Sequence, residues 1–314
     1  MGATKGSPMT ASASAQHTQD LLPGATEMGP VTLAVHDLDR MLEFYRDGVG
    51  LQLLAEHKGT ATLGRQGRPV LVLDQDGTLA HAPAGAAGLY HTAFLFPAAA
   101  ELASVVASVA RRYPGQFQGS SDHLVSEAFY FGDPEGNGVE LYVDRPREHW
   151  QIGPNGEVEM ATLALDPNAF LRTHLTEAGA AEVADTPATV GHVHLKVGSI
   201  AAAREFYVDT VGFEVTFEFG PQALFVSAGG YHHHLGMNTW ESRGAGERTP
   251  ALGLGEVTIA LPDEESAPAA DALGALDERL QARGVAREFD GQQLVFHDPW
   301  RNRIVVEANS RGIR

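Results

Sequence analysis

Histidine and carboxylate side chains are the residues of this sequence that could do chemistry. The 314 residues include 14 histidines and 40 aspartates and glutamates but no cysteine. Disulfides, thiolate zinc sites, iron–sulfur clusters and cysteine nucleophiles are therefore excluded, and any metal must be held by imidazole or carboxylate groups. Histidine is also suited to proton transfer, because its ordinary pKa lies near neutrality.

The bulk composition is that of an ordinary globular protein, long enough for two domains. Apolar residues make up 43% of the sequence, charged residues make up 20%, and the formal net charge is −18. A negative field repels phosphate backbones and anionic lipid headgroups, so we expect neither nucleic-acid nor membrane binding. The sequence also lacks the run of about 18 apolar residues that a spanning helix needs.

The N-terminal segment differs in composition from the rest of the sequence. It is rich in Ala, Ser, Thr and Gly, with one lysine and no apolar core of signal-peptide length. We interpret residues 1–27 as a disordered leader rather than a secretion signal, and residues 309–314 as a tail. We therefore expect a cytoplasmic protein, and the sequence leaves a homo-oligomer open.

An internal repeat organises the sequence. Residues 28–35 (MGPVTLAV) resemble residues 190–197 (VGHVHLKV), and the same 162-residue offset relates EFY at 43–45 to EFY at 205–207. A second pair of segments, with the motif DPxxN, lies at 133–137 and at 298–302. The sequence is thus a tandem duplication of a unit that itself has two parts.

Each part begins with an alternating apolar run typical of a strand and continues into a helical pattern that ends near glycine. Further short strand patterns close each part. We place four modules of β-α-β-β-β type at 28–76, 88–144, 190–240 and 253–308. The first two form a domain at 28–144 and the last two a domain at 190–308. Residues 145–189 form a linker with a short helix opened by Asp166 and Pro167.

Such modules, duplicated and repeated, resemble those of the vicinal oxygen chelate family, which includes glyoxalase I, extradiol dioxygenases and bleomycin-binding proteins. The resemblance covers nearly everything from residue 29 to 307. The pattern from His123 through Phe129, Tyr130 and Asp133 to Glu140 is similar to the extradiol dioxygenase signature, departing at its first position, Ser121. The segments GGYHHHLGMNTW at 229–240 and DRPREHW at 144–150 resemble the catechol-2,3-dioxygenase branch.

The resemblance implies a fold and a metal site. The fold is α+β, with four tandem modules forming two curved mixed sheets with outer helices. Family ligands lie on the first strand of a module and at a glutamate of its last strand, which here gives His91, Glu140 and His192. Two imidazoles and one carboxylate hold non-haem Fe(II) and leave positions open, although Mn(II) also fits. Because these ligands belong to modules two and three, we expect those two modules to pair.

The other modules lack a full ligand set. Pro30 occupies the first-strand position of module one, and Val305 occupies the last-strand position of module four. Glu256 stands at the first strand of module four, and we interpret it as a structural residue.

Three further residues are candidates for catalysis by resemblance. His234 aligns with the acid–base histidine of the family, and Tyr130 looks like the tyrosine that binds the substrate hydroxylate. His123 belongs to the signature and would contact substrate or oxygen. In an extended strand His233 points away from His232 and His234, so His233 takes the acid–base role if the strand is shifted by one residue.

These features predict an Fe(II)-dependent extradiol dioxygenase that acts on a small aromatic diol with O2. One alternative is a glyoxalase-like isomerase or lyase, which would use His234 as a fourth protein ligand. The other is a non-catalytic protein that binds aromatic compounds, which would need no metal ligands.

Overall fold

The computed structural model describes residues 21–154, 157–263 and 268–309. Their strands form two mixed sheets of eight and nine strands. This arrangement confirms the predicted α+β class with two curved sheets.

The first sheet is built from modules one and four. Its order is β15-β16-β17-β14-β1-β4-β3-β2, with β1 and β14 antiparallel at the centre. The strands of this sheet are β1 Glu27–Val35, β2 Gln52–His57, β3 Thr60–Arg65, β4 Arg68–Gln75, β14 Gly253–Pro262, β15 Arg287–Phe289, β16 Gln293–His297 and β17 Arg303–Asn309.

The second sheet joins modules two and three, as the surviving ligands predicted. Its order is β11-β12-β13-β10-β5-β8-β7-β6-β9, with β10 and β5 antiparallel at the centre. Its strands are β5 Gly88–Leu95, β6 Phe117–Asp122, β7 Ser126–Gly132, β8 Gly138–Asp144, β9 Leu163–Ala164, β10 Thr189–Lys196, β11 Glu214–Phe219, β12 Ala223–Ser227 and β13 Leu235–Asn238. Each sheet therefore contains one module from each half, and the division into domains at 28–144 and 190–308 stays a prediction.

Six α-helices connect the strands in the described part of the chain. They are α1 Leu38–Leu42, α2 Ala99–Arg112, α3 Pro167–His174, α4 Glu177–Ala181, α5 Ile200–Phe206 and α6 Ala269–Ala282. Helices α1 and α5 continue into short π-helical turns, Glu43–Gly48 and Tyr207–Val211. The predicted linker helix is α3, whose N-cap Asp166 accepts hydrogen bonds from the backbone N–H groups of Asn168 and Ala169. The short strand β9 and helix α4 in the same linker were not predicted.

The central strands of the second sheet have two chemically different faces. On β8, Val139 and Leu141 belong to the apolar core, whereas Glu140 faces the other way. On β10, Val193 and Leu195 are core residues, whereas His192 and His194 alternate with them. Side chains alternate across a strand, so an apolar face anchors the sheet while the opposite face presents polar groups to a cavity.

Paired hydrogen bonds tie the helical segments of one module to the turns of the next. The buried hydroxyl of Tyr45 donates to Oδ2 of Asp133 over 2.9 Å, and Tyr207 donates to Oδ2 of Asp298 over the same distance. Both aspartates stand in the repeated DPxxN turns. Two equivalent hydrogen bonds thus join the two sheets, one between modules one and two and the other between modules three and four.

Part of the segment that was expected to be a disordered leader is folded. Residues 1–20 lie outside the described residues, as do residues 310–314 of the expected tail. Leu22, by contrast, is buried, and its backbone N–H donates to the carbonyl of Gly212 over 2.9 Å. Residues 21–26 therefore belong to the packed structure, because an apolar side chain and a backbone partner hold them. Among the described helices, none combines the length and apolarity required to cross a bilayer.

Removing the hydroxyl of Tyr45 should destabilise the fold. In Tyr45→Phe, the buried carboxylate of Asp133 loses one donor, which we expect to cost about 1–3 kcal/mol of unfolding free energy. Tyr207→Phe should cost a similar amount. Urea denaturation at neutral pH measures both. Tyr113→Phe, a half-buried ring packed against Phe44, serves as the control, and an equal loss in that variant would contradict the assignment.

Candidate metal centre and its cavity

Three adjacent strands bring the candidate ligands together. Ala93 on β5 is paired with Glu140 on the parallel strand β8 and with His192 on the antiparallel strand β10. Paired residues point to the same face of a sheet, so Glu140 and His192 flank the small side chain of Ala93. His91, two residues before Ala93, projects from that same face.

The side chains of His91, Glu140 and His192, here called the triad, converge. Nε2 of His91 lies 2.9 Å from Oε2 of Glu140, and Nε2 of His192 lies 3.2 Å from that oxygen. One ligand atom from each residue lies within 4.8 Å of the other two. All three residues are buried, with Glu140 only 2% exposed.

The triad is electrostatically prepared for a cation. Burial raises the pKa of Glu140, but the adjacent imidazoles of His192 and His91 outweigh it and hold that pKa well below its ordinary value. Burial lowers the pKa of His192 to about 4. At neutral pH the structure therefore offers an ionised carboxylate and, at His192, a neutral imidazole, which are the protonation states that metal ligands require.

The residues present fit a metal ion. In the described part of the chain, no lysine or arginine pairs with Glu140. Nε2 of His91 approaches Glu140 without forming a hydrogen bond, and the buried Nδ1 of His192 has no hydrogen-bond partner. A buried carboxylate without a lysine or arginine partner lacks a fixed positive counter-charge, and unsatisfied buried nitrogens are rare in folded proteins. A divalent ion bound by the triad would compensate the charge and occupy the lone pair of His91.

The triad lines a cavity of about 760 Å³ that also contains Tyr130 and His123. Tyr130 is paired with Glu140 across β7 and β8. Nδ1 of His123 lies 2.7 Å from the carbonyl oxygen of Ala161, so this nitrogen carries the proton and donates it. Nε2 of His123 therefore accepts the hydrogen bond of the Tyr130 hydroxyl, also 2.7 Å long. Burial and Glu140 raise the pKa of Tyr130 well above its ordinary value, which keeps the phenol protonated.

The structure does not bring His234 to this cavity. His234 lines a separate cleft of about 280 Å³, where Nδ1 accepts the backbone N–H of Ala228 over 3.2 Å. Strand β13 starts only at Leu235, and the bend before it reverses the alternation expected from a continuous strand. His233, the alternative that the sequence left open, lines the cavity instead, with its ring centroid 4.0 Å from that of His192.

A chain of hydrogen bonds runs from Asp144 through His232 to His233. This chain, here called the relay, orients the ring of His233. Nε2 of His232 lies 2.9 Å from Oδ1 of Asp144, and its Nδ1 lies 2.7 Å from Nδ1 of His233. A carboxylate only accepts, so Nε2 of His232 donates to Asp144, which leaves Nδ1 of His232 to accept from Nδ1–H of His233. The relay therefore places a free lone pair on Nε2 of His233. Burial lowers the pKa of His233 well below its ordinary value, so the ring is neutral.

Two further neighbours complete this region. Tyr231 donates to Oδ2 of Asp144 over 2.9 Å and contacts the hydroxyl of Tyr142 at 2.7 Å. A Cβ at Gly191 would overlap the hydroxyl of Tyr142, so glycine at this position allows Tyr142 to reach Tyr231.

His194 also lines the cavity, and its orientation is set by Asn238. The amide oxygen of Asn238 accepts the backbone N–H of Trp240 over 3.2 Å, which directs the amide nitrogen to Nε2 of His194 at 3.0 Å. Sequence reasoning missed Asp144 and the role of Asn238, although the motif words at 144–150 and 229–240 contained both residues.

The corresponding region of the first sheet carries no such group among the described residues. Nε of Arg303 binds Oε2 of Glu256 over 2.8 Å, and Thr258 donates to the other carboxylate oxygen. An arginine thus neutralises Glu256, which supports the structural interpretation of that residue.

Comparisons with known proteins agree with this architecture. A family model, the Glyoxalase/Bleomycin resistance protein/Dioxygenase superfamily, matches residues 27–141 and 189–306. The curated catechol-2,3-dioxygenase of Bacillus subtilis (strain 168) is 39% identical over 280 residues, which are 87% of this chain and 94% of the relative.

Solved structures bear on the fold alone, because their identities are low. Glyoxalase I from Zea mays superposes with a TM-score of 0.56 at 15% identity, covering 94% of this chain and 95% of its own. A Bacillus subtilis protein described provisionally as a dioxygenase superposes with a TM-score of 0.62 at 13% identity, covering 93% of this chain and 87% of its own.

The neutral, buried His234 should make the metal-free protein sensitive to acid. Burial lowers the pKa of His234 to about 3, so below the ordinary value of about 6.5 the unfolded chain binds a proton that the folded chain does not. This contribution weakens the fold as the pH falls from about 6.5 towards 3, by at most about 1.4 kcal/mol per pH unit. His234→Asn keeps an acceptor for Ala228 but cannot titrate. Thermal unfolding at pH 7 and pH 5 should show a smaller loss in the variant, and equal losses would refute the assignment.

Proposed function

Because this chain belongs to the glyoxalase/bleomycin resistance protein/dioxygenase superfamily, we propose that it is an Fe(II)-dependent extradiol dioxygenase. The 39% identity with a catechol-2,3-dioxygenase along most of both chains supports an enzyme of the dioxygenase type. The proposed reaction opens the ring of a catechol-like diol next to its two hydroxyl groups and incorporates both atoms of O2. The observation that carries the proposal is the buried triad, which faces a cavity large enough for an aromatic substrate.

The triad residues His91, Glu140 and His192 would hold the metal. A bound Fe(II) would supply a template for both diol oxygens and the electron chemistry that O2 requires. Mn(II) suits the same donor set, so the choice of iron is part of the proposal. Three protein ligands leave positions for substrate and O2, which a four-ligand site would restrict.

His233 is the residue that we propose as the acid–base group. Its Nε2 lone pair belongs to a ring that lines the cavity beside His192. Such a group can take the proton of a substrate hydroxyl and return it after the ring has opened. The hydrogen bond between His232 and Asp144 holds the required tautomer, in the way that a carboxylate orients a catalytic imidazole in other enzymes.

Tyr130 and His123 would position the diol. The Tyr130 oxygen lies over the strand that carries Glu140, and its proton is directed to His123. The phenolic oxygen keeps lone pairs that can accept a hydrogen bond from a substrate hydroxyl. Its raised pKa means that Tyr130 acts as a neutral partner rather than as a base.

The isomerase alternative is less well supported. It relies on His234 as a fourth ligand, and His234 lines a different cleft. A non-catalytic binder would have no use for a buried carboxylate between two imidazoles.

Loss of a triad side chain should abolish metal binding. His91→Ala, Glu140→Ala and His192→Ala should each lower the Fe(II) content of anaerobically reconstituted protein from about one ion per chain to near zero, because two ligands rarely retain the ion. Metal analysis after gel filtration measures the content, and circular dichroism verifies folding.

Glu256→Gln is the matched control for this experiment, because Glu256 occupies the corresponding first strand of module four. It should retain iron at the level of the unmodified protein. Iron lost from Glu256→Gln but kept by His192→Ala would refute a site between modules two and three.

Loss of His233 should slow turnover without removing the metal. In His233→Gln we expect kcat to fall by about 10²-fold or more, while the iron content stays unchanged. Asp144→Asn should cause a smaller loss, because it disturbs only the tautomer of the relay. Oxygen uptake and the yellow ring-fission product of catechol measure the rate.

His234→Asn is the control for this comparison and should turn over at nearly the unmodified rate. If His234→Asn loses activity and His233→Gln does not, the assignment of the acid–base residue is wrong. If iron-loaded, folded protein consumes no O2 with any catechol, the dioxygenase proposal fails.

A further inference from the structure

We infer that the substrate is a catechol bearing an uncharged, apolar substituent of about the size of a second ring. This inference rests on the proposed function and concerns the part of the cavity beyond the triad. A cavity of about 760 Å³ falls in the range that encloses drug-sized ligands. A single-ring diol held by the triad would leave most of it unfilled.

One wall of the outer cavity is aromatic. Phe217 and Phe225 face each other across β11 and β12 with ring centroids 5.9 Å apart, and Tyr90 packs edge-on against Trp240 at 5.4 Å. Trp240 is nevertheless 50% exposed. A large aromatic side chain that lines a cavity and remains half exposed gains stabilisation when an apolar group covers it.

Strand β10 runs from the triad to the mouth of the cavity. His192, His194 and Lys196 lie on one face, and all three line the cavity. At about 3.3 Å per residue, Lys196 stands roughly 13 Å along the strand from His192. The ring of His194 lies 5.0 Å from that of His91 and 5.7 Å from that of Trp240, measured between centroids. A second ring attached to a diol at the triad is therefore expected to lie against Trp240 and the adjacent ring of Tyr90.

The charges at the mouth disfavour an anionic substituent. Among the described residues that line the cavity, Lys196 is the one lysine or arginine. Its Nζ lies 3.7 Å from Oε2 of Glu241, which also lines the cavity. A carboxylate on the substrate would have to compete with Glu241 for that cation. An uncharged substituent meets no such competition.

Binding of non-chelating analogues tests the inference separately from turnover. We expect phenylphenol to quench tryptophan fluorescence of the metal-free protein and to bind at least about tenfold more tightly than hydroxybenzoate. With iron-loaded protein, phenylcatechol should show a KM lower by about the same factor than dihydroxybenzoate. Equal affinities for the neutral and the carboxylated probes, or no saturable binding of phenylphenol, would overturn the inference.

Substitutions test the roles of the aromatic wall and of the ion pair between Lys196 and Glu241. Trp240→Ala should weaken phenylphenol binding by about tenfold and leave the affinity for unsubstituted catechol nearly unchanged, whereas Phe289→Ala, an exposed aromatic residue of the first sheet, should change neither. Glu241→Gln frees Lys196 and should strengthen hydroxybenzoate binding. An unchanged preference in both Trp240→Ala and Glu241→Gln would refute these contacts.

The two proposals fail in different ways. Preferential phenylphenol binding without turnover of any catechol would leave an apolar aromatic site and refute the dioxygenase. Turnover of all catechols with equal KM values would keep the dioxygenase and refute the substituent site.

Discussion

The antiparallel pairing of β5 with β10 is the constraint on which the rest of the site depends. It sets His192 beside Ala93, and the parallel pairing of β5 with β8 sets Glu140 on the other side of that residue. Because alanine is small, the imidazole and the carboxylate meet above it. The ligands come from modules two and three, so they converge only when these modules share a sheet. A shift of β10 by one residue would turn His192 into the apolar core.

Burial makes this arrangement chemically useful. The apolar face of the second sheet packs into the core, and this packing positions a carboxylate and several imidazoles where water is largely excluded. Coulombic interactions are stronger in such surroundings, and unpaired charges are costly. The same exclusion of water keeps His233 neutral, with its proton directed towards His232 and its free nitrogen in the cavity. The relay through His232 reaches Asp144, whose carboxylate is 23% exposed, so the site remains connected to solvent by hydrogen bonds.

The two sheets have diverged in their roles. In the first sheet, Arg303 neutralises Glu256, and Pro30 and Val305 occupy positions where ligands would stand. That sheet contributes stability through its core and through the bonds of Tyr45 and Tyr207 to the two DPxxN turns. The first sheet thus stabilises the fold, and the second sheet carries the candidate metal site. Phe217, Phe225 and Trp240 of the aromatic wall come from module three and Tyr90 comes from module two, and the cavity lining also includes the polar residues Ser121 and Ser126.

The sequence by itself determined the repeats and most strands, because alternation and the spacing of a duplicated motif are local properties. Its resemblance to the vicinal oxygen chelate family indicated the residues of the triad. It also indicated which modules share a sheet, since only modules two and three retain ligands. The tertiary structure decided which histidine of the 232–234 run enters the cavity. That choice depends on a bend before β13, which no period-two pattern reveals. It also decided the contacts between Asp144 and His232, 88 residues apart, and between Asn238 and His194, because hydrogen bonds between distant segments exist only after the strands have packed.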